Sequence, residues 1–192
     1  MDESRPPKLT FKVPLPGGQS RLREAALYVM KKCADAEAFG LVKLNKIIWR
    51  ADFRAYAARR VPVTGRQYQR LAQGPAPVEM YPILQEMQRD GDIRIERRPA
   101  GQFEEQRPIA LVTPSLRYFS ADDIAYLDAS IDGYWNHTGR DVSKDSHGVA
   151  WETRSNGDPM PYDLALLSDD PLDGWQVDYF TSLAKERGWQ SA

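Results

Sequence analysis

The chain has 192 residues, 42% of them apolar and 28% charged, which is enough for one domain with a sizeable core. No apolar run reaches the length a bilayer span needs, and the start of the chain has no apolar stretch of signal-peptide type. A single Cys33 excludes an internal disulfide and a cysteine-based metal cluster and points to a reducing, cytoplasmic setting, while the net charge of −1 hides a basic half (residues 1–70, 15 Lys and Arg against 6 Asp and Glu) and an acidic half (residues 71–192, 11 against 21).

Residues 1–19 hold four prolines and two glycines and read as an extended arm, with Leu9–Val13 alternating as a short edge strand would. Residues 20–192 then read as one domain. Ser20 suits the N-cap of a first helix whose Leu22, Ala25, Ala26, Val29, Met30 and Cys33 share one face, and Gly40 suits its end. A second helix is expected over 41–60. At roughly 100° per residue, Leu41, Leu44, Ile48, Ala51 and Ala55 form a core face. Lys43, Lys46, Arg50 and Arg54 form a basic stripe, and Trp49, Phe53 and Tyr56 an aromatic flank.

Val61–Gly65 reads as a turn, Gln67–Gln73 as a weakly alternating strand, and Gly74-Pro75-Ala76-Pro77 as a rigid bend opening a third helix that runs to about Asp90, with Glu79 in its first turn. Ile93–Arg97 and Pro108–Val112 pair as a hairpin with a loop at Pro99–Gly101, so helix and hairpin together have the pattern of a winged helix. Ser120 and Asp123 form a capping box for a helix with Ile124, Leu127, Ile131 and Tyr134 buried. A short helix is expected from Ser143 to about Thr153, a turn at Asn156–Pro159, and a last helix over 172–187. The sum is an α+β fold, predominantly α-helical: a compact helical domain with a small β-hairpin.

The region from Lys43 to Leu84 contains no His and no Cys, and its acids are Asp52 and Glu79 alone. That composition suits recognition better than catalysis. The basic stripe reads as a solvated face, as a docking surface for an acidic protein or phosphates, or as one half of ion pairs with the acidic C-terminal half. Trp49, Phe53 and Tyr56 read as core in preference to interface. His147 reads as a structural histidine one helical turn from Trp151, and the sharper alternative is a general base with Asp145 or Asp163. That alternative lacks a nucleophile, because Cys33 sits in an apolar stripe. Two histidines do not make a His-rich zinc site, no glycine-rich phosphate loop is present, and no cofactor is expected. Gly74 and Pro75 read as a backbone device that sets Tyr68 and Tyr81 on either side of the bend.

The order of these features resembles a known family. The Lys43-Leu44-Asn45-Lys46-Ile47-Ile48 helix with Asp52, then Pro62-Val63-Thr64-Gly65, Tyr68, Gly74-Pro75-Ala76-Pro77 and Tyr81, then Ser146-His147 with Trp151 and Pro159-Met160-Pro161-Tyr162, looks like the Panacea domain of SocA-like antitoxins and phage-associated relatives. The resemblance spans about Ser20 to Leu167. It departs from the family pattern at Trp49-Arg50, at Gln73 and at Ala76. It implies an antitoxin that binds a toxin encoded by an adjacent gene, with handover to a Clp-type protease as a further role. The partner-binding candidates are Lys43, Lys46, Trp49, Arg50, Phe53, Tyr68, Gly74, Pro75 and Tyr81. Asp52, His147 and Trp151 are structural residues of the motif. The rival function is a DNA-binding regulator that uses the basic half and the hairpin arginines Arg94, Arg97 and Arg98; a hydrolase built on His147 is the third.

Overall fold

A computed structural model describes residues 9–100 and 103–167, together with residues 178, 181 and 182. The order of elements is α1 (Gln19–Lys32), α2 (Leu41–Arg59), β1 (Tyr68–Gln69), β2 (Ala76–Pro77), α3 (Met80–Arg89), β3 (Ile93–Ala100), β4 (Phe103–Ala110), α4 (Ala121–Tyr134), α5 (Gly139–Asp145), α6 (Val149–Glu152), β5 (Pro159–Met160) and a 3-10 turn at Tyr162–Leu166. The fold is α+β and predominantly helical, with small antiparallel sheets. Among the described residues no helix is long and apolar enough to cross a membrane.

Helix α2 is the central element, touching α1, α4, α5, β2, β4 and the 3-10 turn. Its core face packs as its periodicity predicts: Leu44, Ile48, Ala51 and Ala55 are fully buried against α1 and α4. Its aromatic flank makes a second, smaller core. Phe53 and Tyr56 pack with Tyr68, Met160 and Tyr162, and half-buried Trp49 leans on that cluster. The Phe53 ring stands edge-on to Tyr68 with centroids 5.3 Å apart, and Tyr56 stacks on Tyr162 at 5.2 Å. Such pairs add to the burial of the rings themselves.

Several boundaries differ from the sequence expectation, each for a local reason. Ser20 does not cap α1: its N–H bonds back to the Gly17 carbonyl at 3.0 Å, so it already lies within the first turn, and Gly18 holds the cap position. Gly40 opens α2 as an N-cap in extended geometry and does not close α1. The freed carbonyls after α1 are taken by cations. Arg107 donates to the carbonyls of Cys33, Ala34 and Ala36, and Lys43 donates to that of Ala38. Pro75 and Pro77 do not begin a helix, because Ala76–Pro77 pairs with β1 and the Val78 N–H donates to the Gln67 carbonyl. Helix α3 therefore starts at Met80, with Glu79 before its first turn and paired with Arg66.

The strand at Gln67–Gln73 shrinks to β1, flanked by β2 and β5 in a three-stranded antiparallel sheet. The hairpin runs further than expected: Pro99 and Ala100 continue β3 and pair with Glu104 and Phe103, while Leu111 and Val112 fall beyond β4. Leu9–Val13 forms no strand; Val13 donates to the Gly65 carbonyl and Tyr162 to that of Thr10. The helix expected from Ser143 to Thr153 is two helices, broken at Ser146–Gly148. An unexpected capping box at Thr138 and Asp141 starts α5. The capping box at Ser120 and Asp123 is present as predicted. The last helix expected, over 172–187, lies outside the described residues but for 178, 181 and 182.

Candidate functional site

Asp52 is the centre of the motif. It projects from α2 into the smaller core, fully buried. It accepts the Thr64 N–H at 2.6 Å, the Thr64 hydroxyl proton, and the Tyr68 hydroxyl proton at 2.7 Å. The Tyr162 hydroxyl lies 3.3 Å from it and donates to the Arg66 carbonyl at 2.7 Å. Burial raises the Asp52 pKa, against the pull of these hydrogen bonds, and burial together with the Asp52 charge pushes the Tyr68 and Tyr162 hydroxyls well up. The cluster fastens the 61–69 segment to α2. Its groups are all occupied in doing so, which makes it a structural centre.

The basic stripe is not a solvated face over its first half. Lys43 is 1% exposed and Lys46 2% exposed. Among the described residues neither meets a carboxylate within ion-pair distance. Lys43 donates to the carbonyls of Ala38, Trp135 and His137, each at 2.8 Å, and Lys46 donates to the Pro75 carbonyl at 2.6 Å. Burial lowers the pKa of both, that of Lys46 to about 7. Arg50 lies over the Tyr134 ring, 4.7 Å from its centroid, and 3.6 Å from Asp145, while Arg54 is exposed. Pairing between the two charged halves of the chain does occur, from the stripe through Arg50 and Asp145 and elsewhere through Arg21 with Asp123 at 2.9 Å, Arg59 with the same carboxylate, and Lys32 with Asp128 at 3.3 Å.

The Gly74–Pro75 bend closes over Lys46. Gly74 has φ +93°, and a Cβ there would run into Ser146 Oγ and stand 2.7 Å from Lys46 Cε. Only glycine fits both the dihedral and the space. Tyr68 and Tyr81 diverge: Tyr68 is fully buried, whereas Tyr81, on α3, is 70% exposed. Beside the bend, His147 stacks on Trp151 with centroids 3.7 Å apart, the Arg70 guanidinium lies 3.8 Å from the Trp151 centroid, and Trp151 Nε1 donates to the Leu71 carbonyl at 2.8 Å. Trp151 thus holds Arg70 and Leu71 onto α6, with His147 stacked on its ring.

Among the described residues no carboxylate lies within hydrogen-bond or ion-pair distance of His147, and Glu152 acts on it only from further away. Asp145 accepts from the Tyr134 hydroxyl, and Asp163 accepts from the Thr10 N–H at 2.6 Å and the Tyr56 hydroxyl at 3.2 Å. Ser143 Oγ lies 3.5 Å from His147 Nε2, yet that hydroxyl donates to the Gln73 carbonyl at 3.0 Å. Burial, with Lys46 and Arg70 nearby, lowers the His147 pKa. Among the described residues no group of three or more His, Cys, Asp or Glu side chains is placed to hold a metal. On the hairpin, Arg94 and Arg98 share Glu96 at 2.8 and 2.7 Å and Arg97 lies 3.6 Å from Glu104, so the three wing arginines meet two carboxylates.

The family model of the antitoxin SocA-like Panacea domain matches residues 44–152. The chain belongs to the SocA-like Panacea family. The match begins in α2 and ends at α6, narrower than the Ser20–Leu167 span of the motif resemblance. No curated protein and no solved structure matches the chain. Within the Panacea region, sequence reasoning passed over Asn45. Its Nδ2 donates to the Leu41 carbonyl at 2.9 Å, while its buried Oδ1 has no partner. Its place next to Lys46, one turn before Trp49 on the same helix, was the signal available.

Proposed function

We propose that this Panacea protein is the antitoxin of a toxin–antitoxin pair and neutralises its toxin by direct protein contact. Membership of the SocA-like family over residues 44–152 is the observation that carries the reading. The geometry supports it. Asp52, Thr64, Tyr68, Lys46 and Trp151 fix the 61–79 segment against the helices, so its surface is ordered before any partner arrives, which lowers the cost of binding. That surface carries exposed Val78 and is continued on α3 by exposed Tyr81, which borders a groove with Leu84 and Ile95 between α3 and the hairpin. An exposed tyrosine at the edge of a groove of mixed apolar and polar lining is a common protein-recognition anchor. The partner is the product of an adjacent gene, met in the cytoplasm, and the toxin is silenced by occlusion, with delivery to a Clp-type protease as a second step.

Co-expression with the neighbouring gene tests the reading. The neighbour alone should arrest growth, the pair should not, and the two should co-purify as a stable complex. A harmless neighbour, or a pair that never associates, rejects it. Rescue that persists in cells lacking the Clp protease assigns neutralisation to occlusion alone.

A further inference from the structure

A cavity of about 190 Å³ opens between α2, α6 and the 3-10 turn, and Trp49, Phe53, Ala150, Met160 and Leu164 are among its walls. That is room for a side chain, below the roughly 300–1,000 Å³ of a small-molecule site. Its rim carries two charges, Arg54 and Asp145. Asp145 already accepts from the Tyr134 hydroxyl and faces Arg50 at 3.6 Å. Arg54 is exposed and makes no ion pair among the described residues. An apolar hollow with an unpaired cation at its lip suits a segment that joins apolar and acidic residues.

The backbone reaches the lip of this cavity at Leu167, which lines it and, like Leu166, is exposed. The sequence continues Ser168-Asp169-Asp170-Pro171-Leu172-Asp173-Gly174-Trp175. Leu172 is five residues past the lip, so even an extended linker keeps it within about 18 Å of Leu167. Further on, Asp178, Thr181 and Ser182 are helical and exposed, three and four positions apart on one face. At roughly 100° per residue, Leu172, Trp175, Tyr179 and Leu183 fall in an arc of about 80°, its centre turned about 110° from that polar face. We infer that residues 169–183 fold back over the cavity, with Trp175 seated in it and Asp169 and Asp170 beside Arg54. The segment supplies both chemistries that the cavity suits, at a distance its linker spans. A second copy would offer the same residues, but a short tether gives the chain's own segment an effective concentration of about millimolar. The inference goes beyond the antitoxin reading and does not depend on it. A partner of any kind would reach the cavity only by displacing the segment.

NMR on the full chain, methyl-labelled at Ala and Leu, tests this at Ala57 and Leu164, two residues that line the cavity. Trp175 ring protons should show NOEs to both methyls. Trp175→Ala should abolish those NOEs, shift both methyl resonances, and leave the rest of the folded spectrum in place. Ala57→Glu, at an exposed position of the cavity wall, should release the segment by repelling its acids and filling its seat. Arg54→Glu should weaken the NOEs, and added salt should do the same in the wild type only. Methyl resonances that ignore Trp175→Ala, with no NOE from its ring, overturn the inference. So do NOEs that vanish on dilution or that appear between labelled and unlabelled copies, because the occupant is then a second chain. Ala57 and Leu164 methyls that ignore Trp175→Ala yet shift on adding the adjacent gene's product would assign the cavity to the partner, and also overturn it. Failure of that product to bind at all rejects the antitoxin reading and leaves the NOE test standing.

Discussion

Asp52 holds Thr64 at two points, accepting its backbone N–H at 2.6 Å and its hydroxyl proton, across twelve residues of chain. The pair joins the last turns of α2 to the return segment, and Tyr68 and Tyr162 close over it. The motif acid of this Panacea domain is therefore a joint of the backbone, and its removal should be felt as lost stability.

Asp52→Ala leaves the Thr64 N–H and the Tyr68 hydroxyl buried without an acceptor, and should cost about 3 kcal/mol, read as a lower urea midpoint. Asp52→Asn keeps one acceptor oxygen and should cost less. The pH dependence follows from the raised pKa of Asp52 in the folded state. A carboxyl raised above its unfolded value stabilises the fold while protonated, and that contribution is lost as pH rises through the folded pKa. The stability difference between wild type and Asp52→Asn should therefore shrink or reverse as pH climbs above about 4, the ordinary carboxyl value.

Asp123 has the opposite sign. Burial opposes its charge, yet the Ser120 N–H and the Arg59 and Arg21 guanidinia hold its pKa below the ordinary value. Its contribution is present above the unfolded pKa and is lost as pH falls through the lower, folded one. Arg21→Met removes one cation and also the donor to the Val63 carbonyl. It should cost about 2–4 kcal/mol at pH 7, with the deficit narrowing below pH 4 in acid titrations of the melting temperature.

The helix-wheel reading of α2 separated its core face from its aromatic flank, and both pack as drawn, because nineteen residues of regular apolar spacing leave little freedom. The fate of Lys43 and Lys46 was not legible. Their partners are main-chain carbonyls of Ala38, Trp135, His137 and Pro75, and a carbonyl carries no side-chain signature in a sequence. The same holds for Arg107, which reads as one more hairpin charge until the open carbonyls after α1 are placed beside it. Gly40 was misassigned because glycine serves either end of a helix, and only the closeness of α1 and α2 decides which.

Lys46 gives a second pH signature. Its folded pKa is lowered to about 7 by burial, from the ordinary lysine value of 10.5. The folded state binds fewer protons than the unfolded one between those values, so stability should rise with pH across that window and fall as pH drops toward 7. The limiting slope is about 1.4 kcal/mol per pH unit for one proton. Lys46→Met should flatten the rise between pH 7 and 9, in denaturant melts taken at each pH. A parallel pair of profiles would mean that Lys46 stays charged in the fold.

Gly74 and Gly157 share a positive φ, +93° and +91°, but differ in surroundings. A Cβ at Gly157 meets nothing within 4 Å, whereas at Gly74 it collides with Ser146 and Lys46. Gly157→Ala should cost only the backbone strain, about 1–2 kcal/mol. Gly74→Ala adds the clash and should cost clearly more. Gly74→Ala combined with Ser146→Gly should remove the Ser146 part of the clash but neither the Lys46 contact nor the strain, placing its loss in thermal melts between those of Gly157→Ala and Gly74→Ala.

Tyr81 separates stability from recognition. Its ring is largely in solvent, and its one described hydrogen bond is the Gln85 amide donating to its hydroxyl at 3.0 Å on the same helix. Tyr81→Ala should therefore change stability by no more than about 0.5 kcal/mol. On the antitoxin reading, the same change removes an aromatic anchor next to the Leu84 and Ile95 groove and should weaken the complex by about 2 kcal/mol, roughly thirty-fold in Kd. Titration calorimetry with the adjacent gene's product reads this directly. A Tyr81→Ala protein that folds normally and binds undiminished would move the interface off the 78–85 surface.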